Sequence, residues 1–353
     1  VDNTDTPGSP TGAISALTYE ASATIVRLNV TADFGANDYV TVSGLELVTP
    51  ADSDSQGSLG LSYDGDQIID ETDDKIITIL DSNTTAFWEG DAGDDLWSTP
   101  GNWSTGAVPG ISGSTDDQNV VIPDVSPNPQ PTVDVVAGLV MNNLEVRVGA
   151  SVDLASYDLT VNGTFWNDGT VVLDGTQTLT LTNDPDSGVF AYDGAAGGTI
   201  GLADYYDLRI NSAGQTFALA GVTTVARDLL LDAGTLSTGG NALTVGRNVD
   251  GSAGGTGGLT ATASETIDVA GDFLPDTFGA ASSTVQLTGP GDRNIAGVTY
   301  YDLVLAASLE TDTAVSQAGL TAGNSLTLTT GTWNAGAFNH TMGGNWDSSS
   351  TNS

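Results

Sequence analysis

The sequence contains no cysteine, which excludes disulfide bonds and thiol chemistry. Basic residues are almost as scarce: Lys75 and a few scattered arginines make up seven cations against 45 acidic residues, a formal net charge of −38. Nucleic acids and anionic membrane surfaces are bound by clustered cations, so the sequence argues against both partners. Because His340 is the single histidine, the usual ligands of zinc are missing as well.

Long apolar runs are also lacking. No stretch of about twenty apolar residues occurs, so the sequence predicts no transmembrane helix and no membrane insertion. The chain begins at Val1 rather than methionine, which indicates a mature form after removal of a signal peptide. With the acidity, which keeps a protein soluble in high salt, this predicts an extracellular or cell-surface location.

One stretch of the sequence occurs twice. Residues 229–250 align without a gap with residues 326–347, an offset of 97 (326 − 229 = 97). Upstream, the tetrapeptide Tyr-Tyr-Asp-Leu at 205–208 returns at 300–303. Self-similarity of this kind is typical of repeat architectures. Identical pairs in the two copies include Leu229/Leu326, Leu231/Leu328, Gly234/Gly331, Gly239/Gly336, Gly246/Gly343, Asn248/Asn345 and Asp250/Asp347.

Within each copy, apolar residues alternate over short runs, and Gly, Asn, Asp, Ser or Thr interrupt them every seven to ten residues. Alternation indicates strands with one buried face, and the interruptions indicate sharp turns. Strands this short bury enough surface only when each turn of chain stacks on the preceding one. The sequence therefore predicts an all-β protein containing a β-solenoid. Tandem β-sandwich domains are the alternative, because about 95 residues also suits one such domain.

Composition divides the chain into four parts. Residues 1–12 are predicted as an extended arm, 13–80 as a β-sandwich domain, 81–132 as a cap and connector, and 133–353 as ten or eleven solenoid coils, roughly 50 Å long. The connector is rich in tryptophan, and bulky aromatic side chains can cover the open edges of a first coil. No such cluster follows Trp346, so the last coil is expected to be covered by further chain or by another molecule.

Clustered aspartates are the best candidates for binding an ion. Hard cations such as calcium take several carboxylate and carbonyl oxygens on a turn, whereas aspartate is also a common residue of solvated turns. None of the clusters fits a known calcium loop. The predicted calcium ligands are Asp91, Asp94, Asp95, Asp116 and Asp117.

Catalytic patterns are sparse. There is no G-x-S-x-G elbow, and His340 aligns with Leu243 of the other copy, which predicts a core or corner residue. β-Solenoids include calcium-dependent polysaccharide lyases with arginine bases, and Arg227, Arg247 and Arg293 are the conceivable bases here. None of them lies in a dense local cluster of aspartates, so the sequence favours a protein that is not an enzyme.

Three motifs carry a resemblance to a known class. They are the block Trp97-Ser-Thr-Pro-Gly-Asn-Trp-Ser104, the run from Thr284 to Leu303 that ends in Tyr-Tyr-Asp-Leu, and the Leu-Thr-Val run at 243–248 with its echo at 340–345. Together they resemble large bacterial cell-surface and adhesin-type proteins with filamentous β-helical passengers, over about residues 87–353. The resemblance implies adhesion, fibre formation or matrix scaffolding. A C-terminal anchor or sorting segment is not recognised in this sequence.

These observations favour a secreted structural protein that forms or joins an extracellular filament, with self-association head to tail. A monomeric adhesin or glycan-binding module is the first alternative, with surface glycans as its partners. A calcium-dependent polysaccharide lyase is the second.

Overall fold

A computed structural model describes residues 85–111, 118–135 and 137–349, with backbone alone for 252–254 and for four strands nearer the N-terminus. The chain forms two compact units, Val1–Ile79 and Leu80–Ser353. It is all-β, with 50% strand and 1% helix.

The first unit contains two antiparallel strand pairs. β1 (Ile14–Tyr19) pairs with β2 (Val26–Val30), and β3 (Gln56–Leu61) pairs with β4 (Glu71–Thr78). The arm predicted over residues 1–12 and the face-to-face packing predicted for a sandwich over 13–80 lie outside the described residues.

The regular elements of the second unit are nearly all strands. Among its described residues there is one 3₁₀ turn, η1 (Pro100–Asn102). Its strands are β5 (Thr85–Phe87), β6 (Asn119–Ile122), β7 (Leu139–Met141), β8 (Asn143–Val146), β9 (Ser151–Asp153), β10 (Leu159–Val161), β11 (Phe165–Asn167), β12 (Thr170–Leu173), β13 (Leu179–Thr180), β14 (Val189–Tyr192), β15 (Gly198–Ile200), β16 (Asp204–Tyr205), β17 (Asp207–Leu219), β18 (Thr223–Val225), β19 (Leu229–Ser237), β20 (Leu243–Val245), β21 (Val249–Thr260), β22 (Thr266–Val269), β23 (Phe273–Leu274), β24 (Thr277–Gly279), β25 (Thr284–Leu287), β26 (Arg293–Ile295), β27 (Thr299–Ala306), β28 (Thr313–Ser316), β29 (Thr321–Thr330), β30 (Thr332–Asn334), β31 (Thr341–Met342) and β32 (Asn345–Ser348).

These strands form a β-solenoid over residues 119–348, with about 11 turns. Most coils pass through three strand segments, and most segments pair in parallel with their counterparts in the next coil. The pairing is unbroken from β9 to β30 on one side and is interrupted on the other two, where β11 does not pair with β16 and β13 does not pair with β15. The three stacks form sides A, B and C of the rod. Side A stacks Leu208, Leu229 and Val249; side B stacks Phe217, Leu236 and Leu259; side C stacks Val225, Val245 and Val269. Parallel pairing from coil to coil, unbroken on side A, confirms the solenoid over residues 119–348 and rules out tandem sandwich domains there.

The interior is a single apolar core built by the alternation seen in the sequence. All nine residues that define the three sides are 0–1% exposed. Because inward positions on neighbouring coils lie directly above one another, identical or similar side chains form continuous ladders of Leu, Val and Ile. Strand β6 already belongs to this wall, although the sequence assigns it to the connector; its apolar run of only three residues gives no periodicity that separates a coil from a capping loop.

The two copies of the repeated stretch occupy different sides. Leu229 stacks between Leu208 and Val249 on side A, whereas its counterpart Leu326 stacks between Leu303 and Trp346 on side C. The offset of 97 residues is therefore not a whole number of coils. The three sides impose the same requirements on a strand, so one sequence can serve on any of them.

Stacking also brings like charges together. Asp174 and Asp193 follow Leu173 and Tyr192, which pair on adjacent coils. Burial and the charge of Asp153 raise the pKa of Asp174, and burial together with both neighbouring carboxylates raises the pKa of Asp193. The folded state therefore binds protons more readily than the unfolded chain. The destabilisation that these two carboxylates cause is present at neutral pH and is lost as the pH falls through their raised pKa values, until the unfolded chain is also protonated near about pH 4.

We therefore expect Asp193→Asn to stabilise the protein at neutral pH, because it removes repulsion between neighbouring coils. The gain should stay below about 1 kcal/mol, since solvent screens this exposed carboxylate. Urea unfolding of both proteins at neutral and acidic pH measures it, and the difference should vanish as the pH approaches about 4. The control is Asp347→Asn, which removes the only acidic side chain between residues 313 and 349. Destabilisation by Asp193→Asn at neutral pH would contradict this assignment.

Candidate functional site

The two ends of the solenoid differ, and the N-terminal end is closed by a tryptophan cluster. Trp88, Trp97 and Trp103 are at most 2% exposed, and Trp103 packs edge-on against the other two at ring-centroid distances of 5.0 and 4.6 Å. Each indole nitrogen donates to a main-chain carbonyl, those of Pro129, Pro109 and Trp97 respectively, at 2.8–2.9 Å. Buried indoles with satisfied N–H groups make a rigid plug at this end.

Main-chain pairing covers the strand edges at the same end. Trp88 and Trp103 form an antiparallel bridge beside β5, and the N–H of Ser104 donates to the carbonyl of Phe87 at 3.0 Å. Beside β7, Ile111 forms an antiparallel bridge with Leu139. An antiparallel segment ends a parallel wall, because its direction does not continue the stack. These contacts protect the first coil from pairing with another chain.

The last coil, formed by β30, β31 and β32, presents its outer edge and large aromatic side chains. Phe338 and Trp346 are 45% and 47% exposed. The half-buried ring of Trp333 lies 5.5 Å from that of Trp346 and 5.0 Å from the imidazole of His340. Among the described residues, no strand pairs with the outer edge of this coil. We call this surface, formed by Trp333, Phe338, His340 and Trp346, the aromatic end.

The aromatic end is almost uncharged. Between residues 313 and 349 the only acidic residue is Asp347, and there is no lysine or arginine. The chain as a whole carries a formal net charge of −38. Two copies that approach side to side therefore repel one another, whereas the aromatic end adds little to that repulsion.

His340 lies at a turn, half-buried, and is hydrogen bonded on both ring nitrogens. Its Nδ1 accepts from the N–H of Leu320 at 3.2 Å, and its Nε2 lies 2.8 Å from the carbonyl of Ala335. This arrangement requires the neutral ring with its proton on Nε2. The imidazole thus fixes the turn that presents Phe338, which fits the corner position expected from the sequence.

Three of the five predicted calcium ligands, Asp91, Asp94 and Asp95, act as hydrogen-bond acceptors in the cap. Asp94 accepts from Asn102 Nδ2 at 2.7 Å and Thr99 Oγ1 at 3.1 Å, and the Asn102 bond is the main cause of its lowered pKa. Asp91 accepts from Asn128 and Asp95 from Thr132, whereas Asp116 and Asp117 lie outside the described residues. Within the described part of the chain, no three acidic or histidine side chains are grouped to hold a metal ion. Calcium binding stays a prediction.

The three arginines considered as lyase bases are engaged elsewhere. Arg227 and Arg247 form ion pairs with Asp207 and Asp228, and these carboxylates raise the pKa of both guanidinium groups, which keeps them protonated. Arg293 is 2% exposed inside the solenoid, in a space too small for a water molecule. Arg227 and Arg247 are thus held as protonated cations, and Arg293 is buried.

Comparisons with known proteins add no assignment: no family model matches the chain, and neither does any curated protein or solved structure. No helix among the described residues is long and apolar enough to cross a membrane.

Sequence reasoning expected the last coil, near Trp346, to need a cover, but it gave no role to Phe338 and Trp333. Their signal was present: aromatic residues cluster in the last 25 residues while charged residues disappear. Alternation alone assigned them no role, because Phe338 lies in a turn and not in a strand.

Proposed function

We propose that this protein is a structural subunit of an extracellular filament, in which the aromatic end of one subunit binds the N-terminal unit of the next. The observation that carries the proposal is the difference between the two ends of the solenoid. One end is plugged by three buried tryptophans, and the other presents Phe338 and Trp346 beside an outer strand edge.

The chemistry of the aromatic end suits a protein partner. Exposed strand edges bind other chains by strand addition, and main-chain hydrogen bonds supply the affinity. Aromatic side chains such as Trp346 are the residues that most often dominate binding energy at interfaces. The N-terminal unit offers strand pairs of its own, β1 with β2 and β3 with β4. Among the described residues at the plugged end, the outer edges of β5 and β7 are covered by antiparallel bridges.

A contact between different ends leads to a polymer. When one surface of a subunit binds a different surface on the next, the contact repeats and forms a filament unless it closes into a ring. A solenoid of about 11 turns is a stiff spacer roughly 50 Å long for such a filament. The high negative charge keeps neighbouring filaments apart and favours growth along one axis.

Electron microscopy and sedimentation velocity on the full-length protein test this proposal. We expect thin unbranched fibres whose proportion rises with protein concentration and with salt, because salt screens the repulsion between acidic subunits. Uniform monomers at high concentration and physiological salt would contradict it.

A further inference from the structure

A groove runs along the outside of the solenoid, far from the aromatic end in sequence. It is a shallow depression, open to solvent, of about 360 Å³ at the corner that precedes side A. The groove begins near Gly149 and ends at Tyr206 and Arg227. We call it the Tyr206 groove.

The floor of the groove exists because the corner residues of two successive coils have no side chains. Gly169 and Gly188 precede Thr170 and Val189, which pair with each other. A Cβ on Gly188, whose φ is +74°, would lie 2.1 Å from the carbonyl oxygen of Asn167. Glycine is therefore required there, and the backbone itself forms the floor.

Gly169 and Gly188 occupy the same corner position on successive coils, and we call the stack of these positions the corner column. The next residue in this column is Tyr206, which closes one end of the groove. Asp207 pairs with Val189, so Tyr206 stands on the coil after Gly188. The guanidinium of Arg227, one coil further, lies 4.9 Å from the centre of the tyrosine ring. It covers the ring face that points toward the following coil. On the other side the column contains only Gly188, so no side chain from that position covers the second face.

Arg227 holds the ring in place. Its Nε donates to Asp207 Oδ1 at 2.9 Å, and its Nη2 donates to the second carboxylate oxygen of Asp207, which is 2% exposed. A guanidinium anchored by two bonds on a buried carboxylate is a fixed support for the aromatic ring. The ion pair also neutralises the charge of Arg227, so the groove does not attract anions.

Polar groups line the groove at the spacing of the coils. Ser151 and Thr170 pair on adjacent strands, about 4.8 Å apart, and Asp168 contributes a carboxylate that accepts a hydrogen bond from Ser187. Beneath Gly188 lies the amide of Asn167, which is 1% exposed and donates to the carbonyl of Val189, a residue of the groove. Its Oδ1 is a buried acceptor with no donor among the described residues. The floor thus has an unused hydrogen-bond acceptor directly below its glycine.

From this geometry we infer that the Tyr206 groove binds a neutral glycan. The apolar C–H face of a sugar ring packs on the second face of Tyr206, and its hydroxyl groups bond with Ser151, Thr170 and Asp168. An anionic glycan is disfavoured by Asp168 and by the net charge of −38. On side A the main chain beside the floor is already paired coil to coil, so it offers no open strand edge to a peptide. This inference does not depend on filament formation.

Titration of the full-length protein with short neutral oligosaccharides, followed by calorimetry and ligand-detected NMR, tests the inference. Oligomers of glucose, mannose and N-acetylglucosamine are the probes, and oligomers of uronic acids are the anionic comparison. We expect one of the neutral series to bind and the anionic series not to bind. Tyr206→Leu should weaken binding at least about tenfold, and Tyr206→Phe should retain it, because the ring and not the hydroxyl forms the platform.

Three further variants show whether any glycan binding occurs in the groove and whether it depends on assembly. Ser151→Trp fills the groove without removing Tyr206 and should also abolish binding. Tyr301→Leu changes the corresponding tyrosine of the repeat, 37% exposed on side C and outside the groove, and should leave binding unchanged. The same titration on an assembly-deficient protein, Phe338→Asp with Trp346→Asp, separates glycan binding from filament formation. The inference would be overturned if no neutral glycan bound, or if Tyr206→Leu bound glycan with unchanged affinity. It would also be overturned if the groove bound an extended peptide instead.

Discussion

Replacing Trp103 with alanine is expected to lower the free energy of unfolding by about 3–5 kcal/mol, the range for removing a large aromatic side chain from a packed interior. Trp103 is 2% exposed and stands between Trp88 and Trp97, so its loss separates all three rings. It also removes the indole N–H that bonds the carbonyl of Trp97 at 2.8 Å, which leaves a buried acceptor unpaired. Urea unfolding followed by far-ultraviolet circular dichroism measures the change without relying on tryptophan fluorescence.

The same substitution should promote aggregation, because the Trp88–Trp103 bridge covers the outer edge of β5. Trp346→Ala is the matched control, since this indole is 47% exposed and fills no cavity. It should change stability by less than about 1 kcal/mol. Equal effects of the two substitutions would show that the cluster does not act as a plug.

The second large effect is on assembly. Phe338→Asp combined with Trp346→Asp places two charges on the aromatic end, opposite an N-terminal unit that is itself acidic. We expect filaments to disappear and the protein to sediment as a monomer, because both the apolar contact and the local electrostatic neutrality are lost. The circular dichroism spectrum and the urea midpoint should stay close to those of the parent protein, since both side chains are nearly half exposed.

A matched control keeps the net charge of this variant but moves the new charges. Val148 and Val222 are 77% and 66% exposed on the wall of the solenoid, away from the last coil. Val148→Asp combined with Val222→Asp should still form filaments. If this control loses assembly to the same extent, total charge and not the aromatic end governs association.

Much of the fold follows from the sequence. Alternation at Leu229 and Leu231, and again at Leu243 and Val245, predicts short strands with one buried face, and regular Gly and Asn predict the corners. The cap also follows, because Trp88, Trp97 and Trp103 are too concentrated for turns that are simply solvated. These patterns are local, and the same pattern forms the same strand and corner in every coil.

The sequence does not predict which strands pair from coil to coil, because pairing partners lie 18 to 24 residues apart and this spacing varies. Phe190, Leu208, Leu229, Val249 and Phe273 occupy successive coils at intervals of 18, 21, 20 and 24 residues. Extra residues bulge at corners, so the sequence interval does not fix which side a strand joins. For the same reason the Tyr206 groove was not foreseen: its floor depends on Gly169 and Gly188 meeting Tyr206 in one column.

The site residues show the same limit. The three neighbouring aspartates of the cap look alike in the sequence, yet each accepts a hydrogen bond from a different residue. The pairs are Asp91 with Asn128, Asp94 with Asn102 and Asp95 with Thr132. Their distribution is set by contacts across the cap, which composition does not encode. Aspartate density is therefore a weak signal for a cation site in a protein whose corners need hydrogen-bond acceptors.

Hydrogen exchange measured as a function of protein concentration tests end-to-end association most directly. We expect backbone amides of β31 and β32, in the last coil, to become protected as the protein assembles, while those of β18 and β20, on side C of the middle coils, do not change. Amides in the N-terminal unit should gain protection over the same concentration range. Filaments that form without added protection in the last coil, or with protection spread along the sides of the solenoid, would contradict the proposal.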